Sequence, residues 1–268
     1  MSEDLVHEFT KFLSIKKLLP CWFDYAPYEW VTKKNWQGLF MAYSEMLDEH
    51  AREIANSINE LSRYVSILEA WAIRFEQIED EDKKFTLIVE LIEPVAIISI
   101  NLPYIIRSRF IYSVAHLSHQ ANRIAKENWI DDFPLDTEVW FDAANDYGSI
   151  WKKYGKLKLG LEKIASKSYA KKMHDFRNSY NHRYSPKIEF GVSNLVTRIV
   201  SNTGKVSYGF GETAPLTLST IVEILKSQHS LAIDAFKNYQ KLIGEQIDAI
   251  ERWERNNTPE LRQSLTFQ

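Results

Sequence analysis

Cysteine is nearly absent: Cys21 stands alone in 268 residues. No disulfide can form within the chain, and a reducing, cytoplasmic setting is the expectation. No histidine-containing motif surrounds Cys21, so a buried or half-buried thiol is expected there, not a nucleophile. Glycine and proline are scarce, at 9 and 8, which argues against a β fold rich in tight turns. The stretch from Met1 to Thr10 lacks a basic region followed by an apolar run and does not read as a secretory signal. The most apolar stretch, Leu87 to Ile106, contains Glu90, Glu93, Pro94, Asn101 and Pro103. Two carboxylates and two prolines are costly in a bilayer, so a buried core helix is expected and no membrane association. No HExxH, paired CxxC or carboxylate–histidine cluster suggests a metal, and none is expected. Gly-rich phosphate loops and GxSxG are missing too, and no cofactor is expected.

What is present is helical periodicity. Leu39, Tyr43, Leu47, His50, Ile54, Ile58, Leu61, Val65, Leu68 and Phe75 recur every three or four residues, which predicts one long helix from about Trp36 to Glu79. An acidic turn, Glu79 to Asp82, leads into a second helical segment to about Lys126, with kinks expected at Pro94 and Pro103. Two long helices joined by a short turn should pack antiparallel. A break around Pro134 precedes a short helix over about 137–147. Another helix is expected from near Leu159 to Tyr184, ending where Pro186 disfavours helical geometry. The runs 195–200 and 205–210 flank Ser201-Asn202-Thr203-Gly204 and predict a β-hairpin, extended by Ile188 to Phe190. A last helix should span Leu218 to about Arg255, with a frayed tail over 256–268. Residues 1–34 form an aromatic-rich segment with helix limited by Pro20 and Pro27, its rings expected to cap the end of a bundle. The fold class is therefore mainly α, a long-helix antiparallel bundle over 35–255 with a small hairpin insert at about 188–212.

Charge is uneven. The formal net charge is −3, yet residues 148–187 carry eleven basic and two acidic side chains. That surplus of nine leaves a deficit of twelve on the rest of the chain. A local basic block on an acidic chain fits either a polyanion partner or a solvated lysine-rich helix face. Its end holds the sharpest pattern, His174-Asp175-Phe176-Arg177-Asn178-Ser179-Tyr180-Asn181-His182-Arg183-Tyr184. On one continuous helix, His174, Asn178 and His182 share a face, and Arg177 and His182 lie about 140° apart. Metal-free RNA cleavage needs a base for the 2′-OH, a fixed cation for the phosphoryl oxygens and an acid for the leaving 5′-oxygen. Histidine suits the proton transfers and arginine the phosphate.

Arg177-Asn178 followed by His182 is similar to the R-x(4–6)-H signature of the HEPN superfamily, and with Tyr184 it resembles the R-x4-H-x-Y form of HEPN toxins. The hairpin after the motif resembles an insertion in the Cthe-type bacterial HEPN branch. The resemblance implies an all-helical domain that dimerises so that Arg177 and His182 of both copies line one cleft. It implies a metal-independent endoribonuclease of toxin, abortive-infection or antiviral type, with RNA as partner and an antitoxin or defence-system partner in some pairs. Arg177 would hold the scissile phosphate, His182 would transfer protons, and Asn178 would orient the backbone or His182. Lys171, Lys172 and Arg183 would contact RNA, and Tyr184 matches a tyrosine that is modified in some toxin pairs. Tyr180 and Tyr184 read more readily as core or interface rings than as modification sites. A non-catalytic HEPN module that binds RNA, a nucleotide or a protein is the alternative. Arg109 and His116 also satisfy R-x6-H and form a second-ranked site, or a structural pair, since i and i+7 share a helix face. His116, His119 and Arg123 are candidates to line the same cleft as the motif from a neighbouring helix.

Overall fold

The computed structural model describes residues 3–31, 34, 36, 38–125 and 129–257. The described chain is mainly helical, with one two-stranded antiparallel hairpin before the last helix. The helices are α1 (Glu3–Leu18), α2 (Met41–Glu76), α3 (Glu81–Leu87), α4 (Glu93–Ala121), α5 (Phe141–Gly148), α6 (Tyr154–Leu161), α7 (Lys167–Lys172), α8 (Phe176–His182) and α9 (Leu218–Asn257). The strands are β1 (Val196–Val200) and β2 (Val206–Phe210).

The chain forms two compact units. The first comprises residues 1–23, 60–103 and 165–229; the second comprises 24–59, 104–164 and 230–268. In the first unit α1 starts with Glu3 and Asp4 and ends with Lys16 and Lys17, charges that complement the helix dipole. This 16-residue helix lies wholly before Pro20, so the prolines limit it from outside and leave it intact. Its Phe12 ring stacks on Trp71 of α2 at 4.3 Å and 9°. Beside that stack, Glu8 pairs with Arg74 at 2.6 Å, with Glu8 only 2% exposed. Burial pushes the Glu8 carboxyl up, but the hydrogen bond and charge of Arg74, with Lys11 and Lys83, outweigh it and hold it below its ordinary value.

The kink at Pro94 takes a specific form. A single wide turn over Ile88–Ile92 precedes α4, and the Glu93 N–H donates to Ile88 O five residues back. That extra residue makes room for the Pro94 ring, which would otherwise meet the carbonyl four residues before it. Pro103 sits inside α4 without ending it. The apolar stretch 81–124 has the length and composition of a membrane span. In the fold, Leu87, Ile92, Ala96, Ile100, Ile106 and Phe110 of this stretch are core residues, while Val89, Ile98 and Ile105 face outward.

In the second unit, polar side chains inside the core tie three helices together. Tyr43 of α2 donates to Gln246 of α9 at 2.8 Å, and Gln246 donates to Ser118 of α4 at 3.0 Å. Tyr239 of α9 and Ser113 of α4 share a further hydrogen bond at 2.7 Å. Burial raises the pKa of both phenols, so they stay protonated hydrogen-bonding groups. The aromatic segment meets the helices along their length, not at an end: Trp30 packs edge-on against Phe236 and Tyr239, midway along α9, and Asn59, midway along α2, clamps both backbone groups of Ala26. Tyr25 and Tyr28 remain exposed.

The hairpin pairs Val196 with Phe210 and Val200 with Val206, each strand starting one residue inside its expected run and ending where expected. Ile188 does not extend it; Ile188 forms an isolated bridge with Leu216 instead. The helix expected over 137–147 starts at Phe141, after a 3-10 turn at Asp136–Glu138. The expected end of the second segment at Lys126 and most of the tail lie outside the described residues. Cys21 is exposed, not buried or half-buried, because it follows Pro20 after the end of α1, where no element covers it.

Replacing Arg74 by Met leaves Glu8 buried without its main partner, which should lower unfolding stability by about 3 kcal/mol. Chemical denaturation measures this; a loss under about 1 kcal/mol would show that Lys11 and Lys83 carry the pairing instead.

Candidate functional site

The motif segment belongs to the first unit. Tyr169, Met173 and Phe176 are buried at spacings of four and three, the pattern of a helix anchored along one side. Tyr169 also donates to Ile100 O at 2.7 Å, fastening α7 to α4. Ser166 caps α7 by accepting the Tyr169 N–H. The expected continuous helix from Leu159 to Tyr184 is broken, however. Ala165, His174 and Asp175 all take left-handed backbone conformations, at φ of 47°, 51° and 52°. At the second break the Asp175 N–H reaches back to Ala170 O at 2.7 Å, ending α7 before α8 begins. Aspartate tolerates this conformation better than most side chains. His174 therefore does not share a helix face with Asn178, and its buried Nδ1 has no hydrogen-bond partner among the described residues.

Helix α8 carries Arg177, Asn178 and His182, all three exposed. Asn178 donates to Asp175 at 2.9 Å, so its amide braces the turn rather than orienting His182. Phe176 is the buried anchor, and Tyr180 stacks on it at 5.8 Å with 46% exposure. Lys171, Lys172 and Arg183 are exposed, and none forms an ion pair among the described residues. Tyr184 is 93% exposed, which removes the reading of this ring as core.

Arg109 and His116 belong to the second unit, where they line a cavity of about 640 Å³. Helix α2 offers Met46, Glu49, His50, Glu53 and Ile54 to it, one face at helical spacing. Helix α4 offers Arg109, Tyr112 and His116, and the segment from Asp136 to Phe141 closes the rim. The Arg109 guanidinium is engaged: it donates to Glu53 O at 3.0 Å and to Ser57 Oγ, and lies 3.3 Å from the Glu53 carboxylate. His116 Nε2 lies 3.3 Å from Asp136 Oδ1 but off the hydrogen-bonding direction, and it is buried without a hydrogen-bond partner among the described residues. His50 Nδ1 is buried and unpartnered in the same way. Burial lowers the His116 pKa against the opposing charge of Asp136, and burial with neighbouring His116 pushes His50 down to about 4. Both rings are thus neutral near pH 7.

Sequence reasoning found Arg109 and His116 but missed His50, Glu49, Glu53 and Asp136. His50 keeps the spacing of the apolar stripe of α2, which hides it; its flanking glutamates at 49 and 53 are the available signal. His119 and Arg123 do not line this cavity. His119 bonds Asp131 at 3.0 Å, and Arg123 lies over Trp129 at 4.0 Å. Among the described residues, no three His, Cys, Asp or Glu side chains converge as metal ligands do. No family model matches the chain, and neither a curated protein nor a solved structure matches it.

The depressed His50 sets a pH dependence. In the unfolded chain this imidazole takes a proton near its ordinary 6.5, while in the fold it resists protonation to about 4. Its contribution to stability is full above about pH 6.5 and is lost as pH falls toward 4, at up to about 1.4 kcal/mol per pH unit. Thermal melts across that window should fall, and His50→Gln should flatten the fall; an unchanged slope would mean that His50 is charged or solvated in the fold.

Proposed function

We propose that this protein is a HEPN-like, metal-independent endoribonuclease of toxin or defence type, cutting RNA at the face of α8. The observation that carries the reading is that Arg177, Asn178 and His182 are all solvent-exposed on one short helix anchored from beneath by Phe176. Around them, residues 165–187 hold six cations against one acid. Arg177 is the phosphate-holding group and His182 the proton-transfer group; a permanently charged fork and an imidazole are the two chemistries the reaction requires. A second copy of the chain brings a second His182 and a second Arg177, so acid and base come from the two histidines of a homodimer.

RNA binding has a further support in the same unit. The hairpin presents one face made of Val196, Arg198, Val200, Val206, Tyr208 and Phe210, every one exposed. Tyr208 is 65% and Phe210 89% exposed, two residues apart on one strand. Such rings are stacking platforms for unpaired bases, and Arg198 opposite Tyr208 adds a phosphate contact.

Cleavage of a labelled mixed RNA in EDTA tests the reading. Wild-type protein should give products ending in 2′,3′-cyclic phosphate, and Arg177→Ala or His182→Ala should slow cleavage by about 100-fold or more. Both side chains are exposed, so the circular dichroism of each variant should match wild type. Variants that cut at the wild-type rate would refute the assignment, and salt-sensitive RNA affinity without product would assign the non-catalytic binding module. Tyr208→Ala with Phe210→Ala should weaken RNA binding about tenfold or more, read by fluorescence anisotropy.

A further inference from the structure

We propose that the cavity between α2 and α4 in the second unit is a binding site for a small organic cation carried on an aromatic or apolar body. This site is separate from the α8 face and does not depend on the reading of that face. Three observations carry it.

The first is size and shape. A cavity of about 640 Å³ lies within the range of small-molecule sites, roughly 300–1,000 Å³. The second is the chemistry of its lining. Ile54, Ile111, Trp140 and Phe141 supply an apolar and aromatic wall. Trp140 stands 70% exposed at the rim, an open ring face for a cation or a second ring. Glu49, Glu53 and Asp136 bring three carboxylates against a single arginine. That arginine is committed to Glu53 and Ser57, so its charge is answered inside the protein and is not held out for an anion. The third observation is unmet hydrogen-bonding capacity. His50 Nδ1 and His116 Nε2 are buried without hydrogen-bond partners among the described residues, and both residues line the cavity. Buried polar atoms are rarely left unpaired without a role. Neutral near pH 7, both imidazoles add no positive charge; His50 Nδ1 can accept a hydrogen bond, while His116 Nε2 faces the Asp136 carboxylate at 3.3 Å as a donor. The lining is rich in acceptors and net negative, which selects a donor-bearing cation and disfavours phosphate or carboxylate ligands.

Isothermal titration of the full chain tests this with two probes that share a ring and differ in charge: tryptamine and indole-3-acetate. Tryptamine should saturate one site, and indole-3-acetate should bind at least about tenfold more weakly. Glu49→Gln combined with Asp136→Asn should weaken tryptamine about tenfold or more. Both side chains are exposed, so melting temperature should hold. His182→Ala should leave tryptamine binding unchanged, which separates this site from the α8 face. Equal or tighter binding of indole-3-acetate would overturn the proposal, as would unchanged affinity in the double variant or no saturable tryptamine binding at millimolar concentration.

Discussion

The buried hydrogen bonds of Tyr43, Ser113, Ser118, Tyr239 and Gln246 fix the second unit. An apolar stripe sets which face of a helix turns inward but tolerates a slide of one turn along the axis. A buried polar group does not, because a slide leaves it unpaired at a cost of about 1–3 kcal/mol. Tyr43, Ser118 and Gln246 therefore lock α2, α4 and α9 in one register. That register sets positions 49, 50 and 53 of α2 opposite 109, 112 and 116 of α4. The cavity, with its two unpartnered imidazoles, is a consequence of this alignment.

The first unit is held differently. Its buried ion pair, Glu8–Arg74, sits beside the Phe12–Trp71 stack and docks α1 on α2. The motif region depends on Tyr169, Met173 and Phe176, three buried anchors beneath a surface of lysine and arginine. Two consecutive left-handed residues turn the chain between α7 and α8. The turn lets α8 keep its Phe176 anchor while displaying Arg177 and His182 outward. Strained backbone of this kind is retained where the surrounding packing over-determines it.

Long elements were legible because periodicity accumulates over many turns. The stripe from Tyr43 to Phe75 and the apolar positions of α9 located both helices within a few residues. The hairpin was legible from its β-branched runs and the Gly204 turn. The motif helix was not, because Tyr169, Met173 and Phe176 keep helical spacing across a break made by His174 and Asp175, with no glycine or proline to mark it. α1 was not legible because only Glu8 and Phe12 of its sixteen residues are buried, too few to set an apolar stripe. The cavity was only half legible: Arg109 and His116 share a face by arithmetic, but His50 and Glu53 oppose them through tertiary packing alone. The side-chain network that sets this packing has no signature in a single sequence.

Two surfaces differ in chemistry: a basic, exposed α8 face, proposed for RNA, and an acidic cavity, proposed for a small cation. Ultraviolet crosslinking of a bound RNA to the full chain, with the crosslinked peptides identified by mass spectrometry, tests that separation most directly. Crosslinks within residues 167–187 and at Tyr208 or Phe210 are the result predicted. Crosslinks concentrated on residues 46–54 and 108–116, with none at 167–187, would contradict it and place the RNA at the cavity.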